Sequence, residues 1–207
     1  MTRLPRMRAT ERPQRRRGAF GGEEARTESF PLSRLVTVLA VIILLTATAI
    51  AQVRDERAVR AAFVYNLTKY IEWPDAGSQM TIAFVGDSEA GEILKKMLDG
   101  KSSGPLPIHV LLSPSEADLL RCQLLYVAEP SSKKVRAALD RVHGKGILTV
   151  GDSELFVREG GMIGLVTVGE QVQIQVRLEA AQQAQLKISS RLLSIATLVR
   201  QGAEAKN

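Results

Sequence analysis

Between residues 81 and 150, short runs of β-branched and aromatic residues alternate with helical patterns, and this alternation most limits the possible folds. The predicted strands are 81–85, 107–112, 124–127 and 147–150, and the predicted helices are 90–98, a short one from Ser115, and 131–142. Strands joined by helices of this length form right-handed βαβ units, whose strands run parallel in one sheet. We therefore expect an α/β fold, a three-layer Rossmann-like sandwich with a mostly parallel sheet.

Different patterns occupy the two ends of this region. Residues 56–72 carry apolar side chains at helical spacing, which predicts an amphipathic helix that stops before Pro74. Segments 162–168 and 172–178 each read as a strand, and the three residues between them predict an antiparallel C-terminal hairpin. A final helix is expected at about 190–199.

The N-terminal residues have the composition of a targeting segment. Residues 1–34 hold nine arginines, and the uncharged apolar run 35–50 follows them. Ala51 ends a small-x-small pattern that suits signal peptidase, so Gln52 is the expected first mature residue. We predict a signal peptide at 1–51, a single domain at 52–207 and a periplasmic location. An uncleaved membrane anchor is the alternative.

The positive net charge does not indicate a nucleic-acid-binding protein. The whole chain carries a formal charge of +6, but residues 1–34 combine nine arginines with four glutamates and so account for +5 of it. The predicted domain is therefore almost neutral, without the basic face that phosphate binding needs.

The pentapeptide Val-Gly-Asp-Ser-Glu occurs twice, at 85–89 and 150–154. Each copy follows a predicted strand and precedes a helical pattern. An aspartate at this point accepts a backbone N–H of the helix's first turn, and the glutamate suits the positive end of the helix dipole. We therefore interpret Asp87 and Asp152 as helix caps.

An ester hydrolase is one alternative interpretation of the same residues. Gly86-Asp87-Ser88 resembles the nucleophile block of the GDSL hydrolases, and Asp140-x-x-His143 has the spacing of their Asp–His pair. Ser88 would attack, His143 would take its proton, and Asp140 would orient the imidazole. No Gly-x-Asn-Asp stretch supplies oxyanion donors, and Glu89 would place a carboxylate beside the developing charge, so this alternative is disfavoured.

The sequence offers few groups for a metal, a cofactor or a disulfide. His109 and His143 are its two histidines and lie in different predicted elements, so no zinc or iron spacing occurs. Gly160-Gly161 precedes a strand, whereas a phosphate-binding glycine loop precedes a helix. The single cysteine, Cys122, is expected to be buried and unpaired. We predict no cofactor and no metal.

Three stretches resemble the YfiR-like family of periplasmic proteins. The first is the Ala-Phe-Val-Tyr-Asn helix that runs to Trp73-Pro74, the second is 148–163 with its Gly-Asp-Ser and Gly-Gly-Met-Ile, and the third is Ile-Ser-Ser-Arg-Leu-Leu at 188–193. Together they cover about residues 56–200. The resemblance implies a non-catalytic regulator, forming a homodimer, that binds the sensor region of an inner-membrane diguanylate cyclase (the YfiN partner) and represses it. An outer-membrane lipoprotein would relieve this repression, and cyclic di-GMP and biofilm formation would respond.

A regulator of this kind acts through contact surfaces, and three are expected. They are the aromatic end of the first helix, the loop at residues 156–161, and the polar face of the second hairpin strand with Gln173, Gln175 and Arg177. The candidate contact residues are Tyr65, Tyr70, Trp73, Asp152, Phe156, Gln173 and Arg177. Redox control through an internal disulfide does not carry over from the family, because Cys122 has no second cysteine to pair with.

A third possibility is a protein that senses a small molecule. Open α/β sheets bind ligands beyond the carboxyl ends of their parallel strands. Both pentapeptides would lie at that edge, so a ligand would be expected there. Such a ligand is compatible with a regulatory role.

Overall fold

The computed structural model describes residues 56–73 and 77–200. The predicted targeting segment and its cleavage site at Ala51 and Gln52 lie outside the described residues, so the division into 1–51 and 52–207 stays a prediction. All described residues belong to one compact unit. Within them, no helix is long and apolar enough to cross a bilayer.

The elements alternate between helix and strand along the chain. In order they are α1 (56–67), β1 (Ile71–Glu72), β2 (Met80–Gly86), α2 (Ser88–Leu98), β3 (Ser102–Ser103), β4 (Leu106–Leu112), α3 (Glu116–Leu119), β5 (Leu124–Ala128), α4 (Ser132–Val142), β6 (Leu148–Gly151), α5 (Glu154–Arg158), β7 (Ile163–Val168), β8 (Gln171–Val176), α6 (Leu178–Gln183), β9 (Lys187–Ile188), α7 (Ser190–Leu193) and β10 (Thr197–Leu198).

Eight strands of the described chain form one sheet, in the order β10-β8-β7-β6-β5-β2-β4-β3. Five consecutive strands of this sheet, β4, β2, β5, β6 and β7, run parallel to one another. The β7–β8 pair is an antiparallel hairpin. The predicted α/β class, with a mostly parallel sheet and this hairpin, is confirmed. Strands β1 and β9 form a separate antiparallel pair.

Side chains of the central strand β5 alternate between two cores, one on each face of the sheet. Leu124 and Tyr126 pack with α1 and α2 in the larger core. Leu125 and Val127 pack on the opposite face with α4 and α5. All five residues of β5 are buried, as expected for a parallel strand covered on both faces. This arrangement produces the three layers.

The first helix ends earlier than expected. It stops at residue 67 rather than 72, and the backbone N–H groups of Lys69 and Tyr70 bond to carbonyls three residues back. Ile71 and Glu72 then pair with Ile188 and Lys187 as strands. This pairing joins segments more than a hundred residues apart, so local periodicity contained no signal for it.

The predicted final helix at 190–199 is also wrong in most of its length. Only Ser190–Leu193 is helical, and Thr197–Leu198 adds an edge strand that runs parallel to β8. The Val199 N–H donates to the Val176 carbonyl at 2.8 Å. Strand β8 stops at Val176, whereas the prediction ran to Leu178, because Leu178 begins α6. Tertiary pairing outweighed helix propensity here.

Phe156 fills a space that two glycines leave open. It is fully buried in the second core. A Cβ at Gly151 would lie 2.1 Å from Phe156 Cγ, and a Cβ at Gly161 would lie 2.0 Å from Phe156 Cε1. The prediction that Phe156 forms part of an exposed contact surface is therefore wrong, because the ring anchors α5 to the sheet.

We predict that Gly151→Ala lowers the free energy of unfolding by about 1–3 kcal/mol, because the added methyl group overpacks the Phe156 ring. Chemical denaturation measures the loss. In a Phe156→Leu background the same substitution should cost less, because the smaller side chain leaves room. An equal cost in both backgrounds would contradict the assigned contact.

Candidate functional site

The carboxyl ends of three parallel strands meet α1 and enclose a cavity of about 210 Å³. We call it the rim cavity. Its polar lining residues are Glu56, Arg57, Arg60, Asp87, Tyr126 and Asp152. Asp87 follows β2, Tyr126 lies in β5, and Asp152 follows β6, whereas the other three side chains come from the first turns of α1. The aspartates of the two pentapeptides therefore line the same cavity.

Arg57 fastens α1 to the start of α2. Its guanidinium donates to Asp87 Oδ2 and to Glu89 Oε2, each at 2.6 Å. Asp87 is the N-cap of α2 and accepts the Glu89 N–H at 3.2 Å. All three side chains are partly exposed, so the pairs contribute modestly to stability. Their effect is to hold α1 over the end of β2.

Arg60 occupies the other side of the cavity. Its guanidinium donates to Glu56 at 2.6 Å and to Thr167 Oγ1 at 3.0 Å. The Thr167 hydroxyl in turn donates to the Glu56 carboxylate. Arg60 reaches Asp152 Oδ2 only at 3.6 Å, which is an ion pair but beyond good hydrogen-bond distance. Arg60 is therefore engaged mainly by Glu56.

Asp152 does not cap a helix. The N-cap of α5 is Ser153, whose hydroxyl accepts the Phe156 N–H at 3.3 Å. The predicted capping role of Asp152 is wrong because the helix begins one residue later than at the first pentapeptide. Burial raises the pKa of the Asp152 carboxyl above its ordinary value, and the nearby Arg60 opposes this shift in part.

Tyr126 forms the inner wall of the cavity. Tyr126 is 3 % exposed. Its ring meets the Phe84 ring edge-on, with the ring centroids 5.5 Å apart. Burial raises the pKa of its hydroxyl, and the negative charge of Asp152 raises it further.

Sequence reasoning identified the two aspartates at this edge but missed the three residues of α1. The spacing of Glu56 and Arg60 indicates an i,i+4 ion pair on the polar face of an amphipathic helix. That pattern is usually a solvated helix surface. Nothing in the spacing shows that the polar face would lie against the strand ends.

The serine, aspartate and histidine of the hydrolase alternative lie at opposite edges of the sheet. Ser88 begins α2 directly after the carboxyl end of β2. Helix α4 starts after the carboxyl end of β5 and returns to the amino end of β6, so Asp140 and His143 lie at the far edge. The geometry therefore does not assemble the proposed triad.

The two histidines contact different groups. His109 Nδ1 lies 3.2 Å from Asp99 Oδ1, and His143 lines a cavity near α6. Among the residues that the structure describes, no group of three His, Cys, Asp or Glu side chains is placed to hold a metal ion.

The aromatic candidates around the end of α1 are all half-buried. Tyr65 donates its hydroxyl proton to the Ser102 carbonyl at 3.2 Å. Lys69 Nζ lies 4.0 Å from the Tyr65 ring centroid, and Lys101 Nζ lies 5.3 Å from it. We call Tyr65, Lys69 and Lys101 the Tyr65 surface. Tyr65, Tyr70 and Trp73 all pack against the larger core.

Gln173 and Arg177 have different surroundings. Gln173 is exposed on β8. Arg177 follows that strand and lines a separate cavity of about 220 Å³ together with His143, Glu159 and Glu179. Its Nε is buried without a hydrogen-bond partner within the described part of the chain.

Cys122 is buried and unpaired, as the sequence indicated. Its thiol lies 3.2 Å from the Leu119 carbonyl, to which it donates. Burial raises the pKa of the thiol to about 12.

We predict that the Asp152 pKa, followed by carboxyl-carbon NMR, lies above the ordinary value of 3.8. Arg60→Gln should raise this pKa further, because it removes the compensating charge. The folded state favours the neutral carboxyl, so ionisation costs stability as pH rises from the unfolded-state pKa through the raised folded-state pKa. Arg57→Gln is the matched control, and an equal effect of both variants would contradict the assignment.

We predict that Cys122 reacts slowly with an aryl disulfide reagent in the folded protein and rapidly in denaturant. The thiolate is the reactive form, and a pKa of about 12 leaves almost none of it at neutral pH. Fast labelling of the folded protein would contradict this expectation.

Similarity to solved structures is low. A structure titled as the ABC domain in complex with L-Trp from Streptococcus pneumonia has 10% identity and a TM-score of 0.46, and the match covers 58% of this chain and 55% of that one. A conserved domain protein from Vibrio cholerae O1 biovar El Tor has 13% identity and a TM-score of 0.44, with 58% and 54% covered. This chain thus spans about half the length of each. No functionally curated protein matches significantly.

Comparison with family models gives a match described as YfiR/HmsC-like over residues 57–197, well over half of the chain. The match includes the Arg57 and Arg60 turns of α1, both pentapeptides, the hairpin and the first residue of β10. The chain belongs to the YfiR/HmsC-like family.

Proposed function

We propose that the protein is a non-catalytic periplasmic regulator that binds the sensor region of an inner-membrane diguanylate cyclase and holds it inactive. The observation that carries this proposal is the family match across the domain. The placement of Ser88 and His143 at opposite sheet edges supports it, because it removes the specific enzymatic alternative that the sequence offered.

The Tyr65 surface is the contact region that we propose for the partner. Lys69 and Lys101 flank the ring of a half-buried tyrosine, so the surface combines positive charge with an aromatic ring. Tyrosine is enriched among the residues that carry most of the binding energy at protein interfaces. An acidic segment of the sensor region would complement both lysines.

Gln173 marks a second, weaker candidate surface on the exposed face of β8. An exposed glutamine on an antiparallel strand is usual for a solvated sheet face. The homodimer and the lipoprotein antagonist that the family resemblance implies belong to the same proposal. The N-terminal signal would deliver the domain to the compartment where these partners meet.

Deleting the gene should raise cellular cyclic di-GMP and surface adherence, because the cyclase would lose its inhibitor. Restoring the gene should return both to the starting level, and the tagged protein should co-purify with a membrane cyclase. Unchanged cyclic di-GMP after deletion, with no cyclase recovered, would refute the proposed function.

Lys69→Glu should fail to restore repression, because it reverses the charge beside Tyr65. The matched control is Lys133→Glu, which reverses an exposed charge in α4 on the opposite face of the sheet. If both variants repress equally well, the Tyr65 surface is not the contact region.

A further inference from the structure

The rim cavity has the size and position of a small-molecule site. Its volume of about 210 Å³ corresponds to roughly seven water molecules at about 30 Å³ each. It lies beyond the carboxyl ends of β2, β5 and β6, where open α/β sheets bind ligands.

Tyr126 contributes a hydroxyl to the cavity wall. The residue is 3 % exposed and lines the cavity. A tyrosine hydroxyl can both donate and accept, so it can bond to a polar group that enters the cavity.

The negative charge of Asp152, which also lines the rim cavity, is only partly neutralised by its neighbours. Its side chain is 22% exposed, and its ion pair with Arg60 is 3.6 Å long. Arg60 binds Glu56 more closely, at 2.6 Å, and Arg57 is taken by Asp87 and Glu89. The Asp152 carboxylate therefore has capacity for another cationic donor.

The lining charges favour a cation over an anion. Among the described lining residues, three carboxylates face two guanidiniums, and both guanidiniums already bind carboxylates. An anionic ligand would add a fourth negative group without a free arginine to receive it. The described residues also contain no cluster suited to a metal ion, whereas an ammonium group offers three donors in a compact charge.

We propose that the rim cavity binds the protonated primary amine of a small organic molecule, with the Asp152 carboxylate and the Tyr126 hydroxyl as its direct partners. Arg60 Nε is buried without a hydrogen-bond partner in the described part of the chain. It would donate to an oxygen of the same molecule where the ligand carries one. The amine displaces Arg60 from Asp152 and so removes a tether between α1 and β6.

The site does not depend on the proposed regulatory function, because binding is measured on the purified protein without any partner. The probes are putrescine, ethanolamine and L-alanine, with calcium as a metal control. All three organic probes carry an ammonium group. Putrescine carries no oxygen, ethanolamine carries a hydroxyl group, and L-alanine carries a carboxylate. Calorimetric titration and the shift in melting temperature give the affinity. We expect at least one amine to bind and calcium not to bind.

Asp152→Asn should weaken amine binding by about tenfold or more, which corresponds to the loss of a charged hydrogen bond. Tyr126→Phe keeps the ring against Phe84 and should weaken binding several-fold. The controls are Asp140→Asn in α4 and Glu116→Gln in α3, both at exposed carboxylates outside the cavity, and both should bind like the parent. Circular dichroism establishes that each variant is folded.

Three results would overturn the proposal. They are no binding by any of the amines, binding of calcium in preference to the amines, and undiminished amine binding by both Asp152→Asn and Tyr126→Phe. Loss of binding in the control variants as well would place the site elsewhere and would also overturn it.

Discussion

The burial of the parallel strands on both faces is the constraint on which the rest of this structure depends. Along β5 the side chains alternate between two cores, so helices must cover both faces of the sheet. Each crossover then returns the chain to the same edge, and every parallel strand ends on the same side. The rim cavity exists because this rule brings the residues after β2 and β6 to one place.

Identical pentapeptides acquire different roles from their surroundings. At the first copy Asp87 caps α2 and binds Arg57. At the second copy Ser153 takes over the capping, and Asp152 is left facing the cavity. The second residue after each copy differs: Phe156 packs over Gly151 in the second copy, whereas Gly91 stands at the corresponding position after the first. Helix α5 starts one residue later in its pentapeptide than α2 does.

Charge placement links the sheet edge to the first helix. Arg57 and Arg60 lie on α1 and reach carboxylates that follow two different strands. Tyr65, the proposed centre of the contact surface, lies on the same helix, about two turns after Arg57 and about one and a half turns after Arg60. A change at the rim cavity would thus act on the element that carries the contact surface, through a rigid segment of hydrogen-bonded backbone.

The local sequence pattern was sufficient to predict the helices and strands in the middle of the chain. There the runs of strand-forming residues and the helical periodicity are strong, and the connections are short. This pattern also determined the burial of Cys122 and the placement of Asp87 as a cap. Local pattern failed at 68–72 and 194–199, because the strands there form only by pairing with distant segments, β1 with β9 and β10 with β8. Likewise, only the tertiary structure decided that Glu56, Arg57 and Arg60 meet Asp87 and Asp152, since helical spacing specifies a face but not what that face touches.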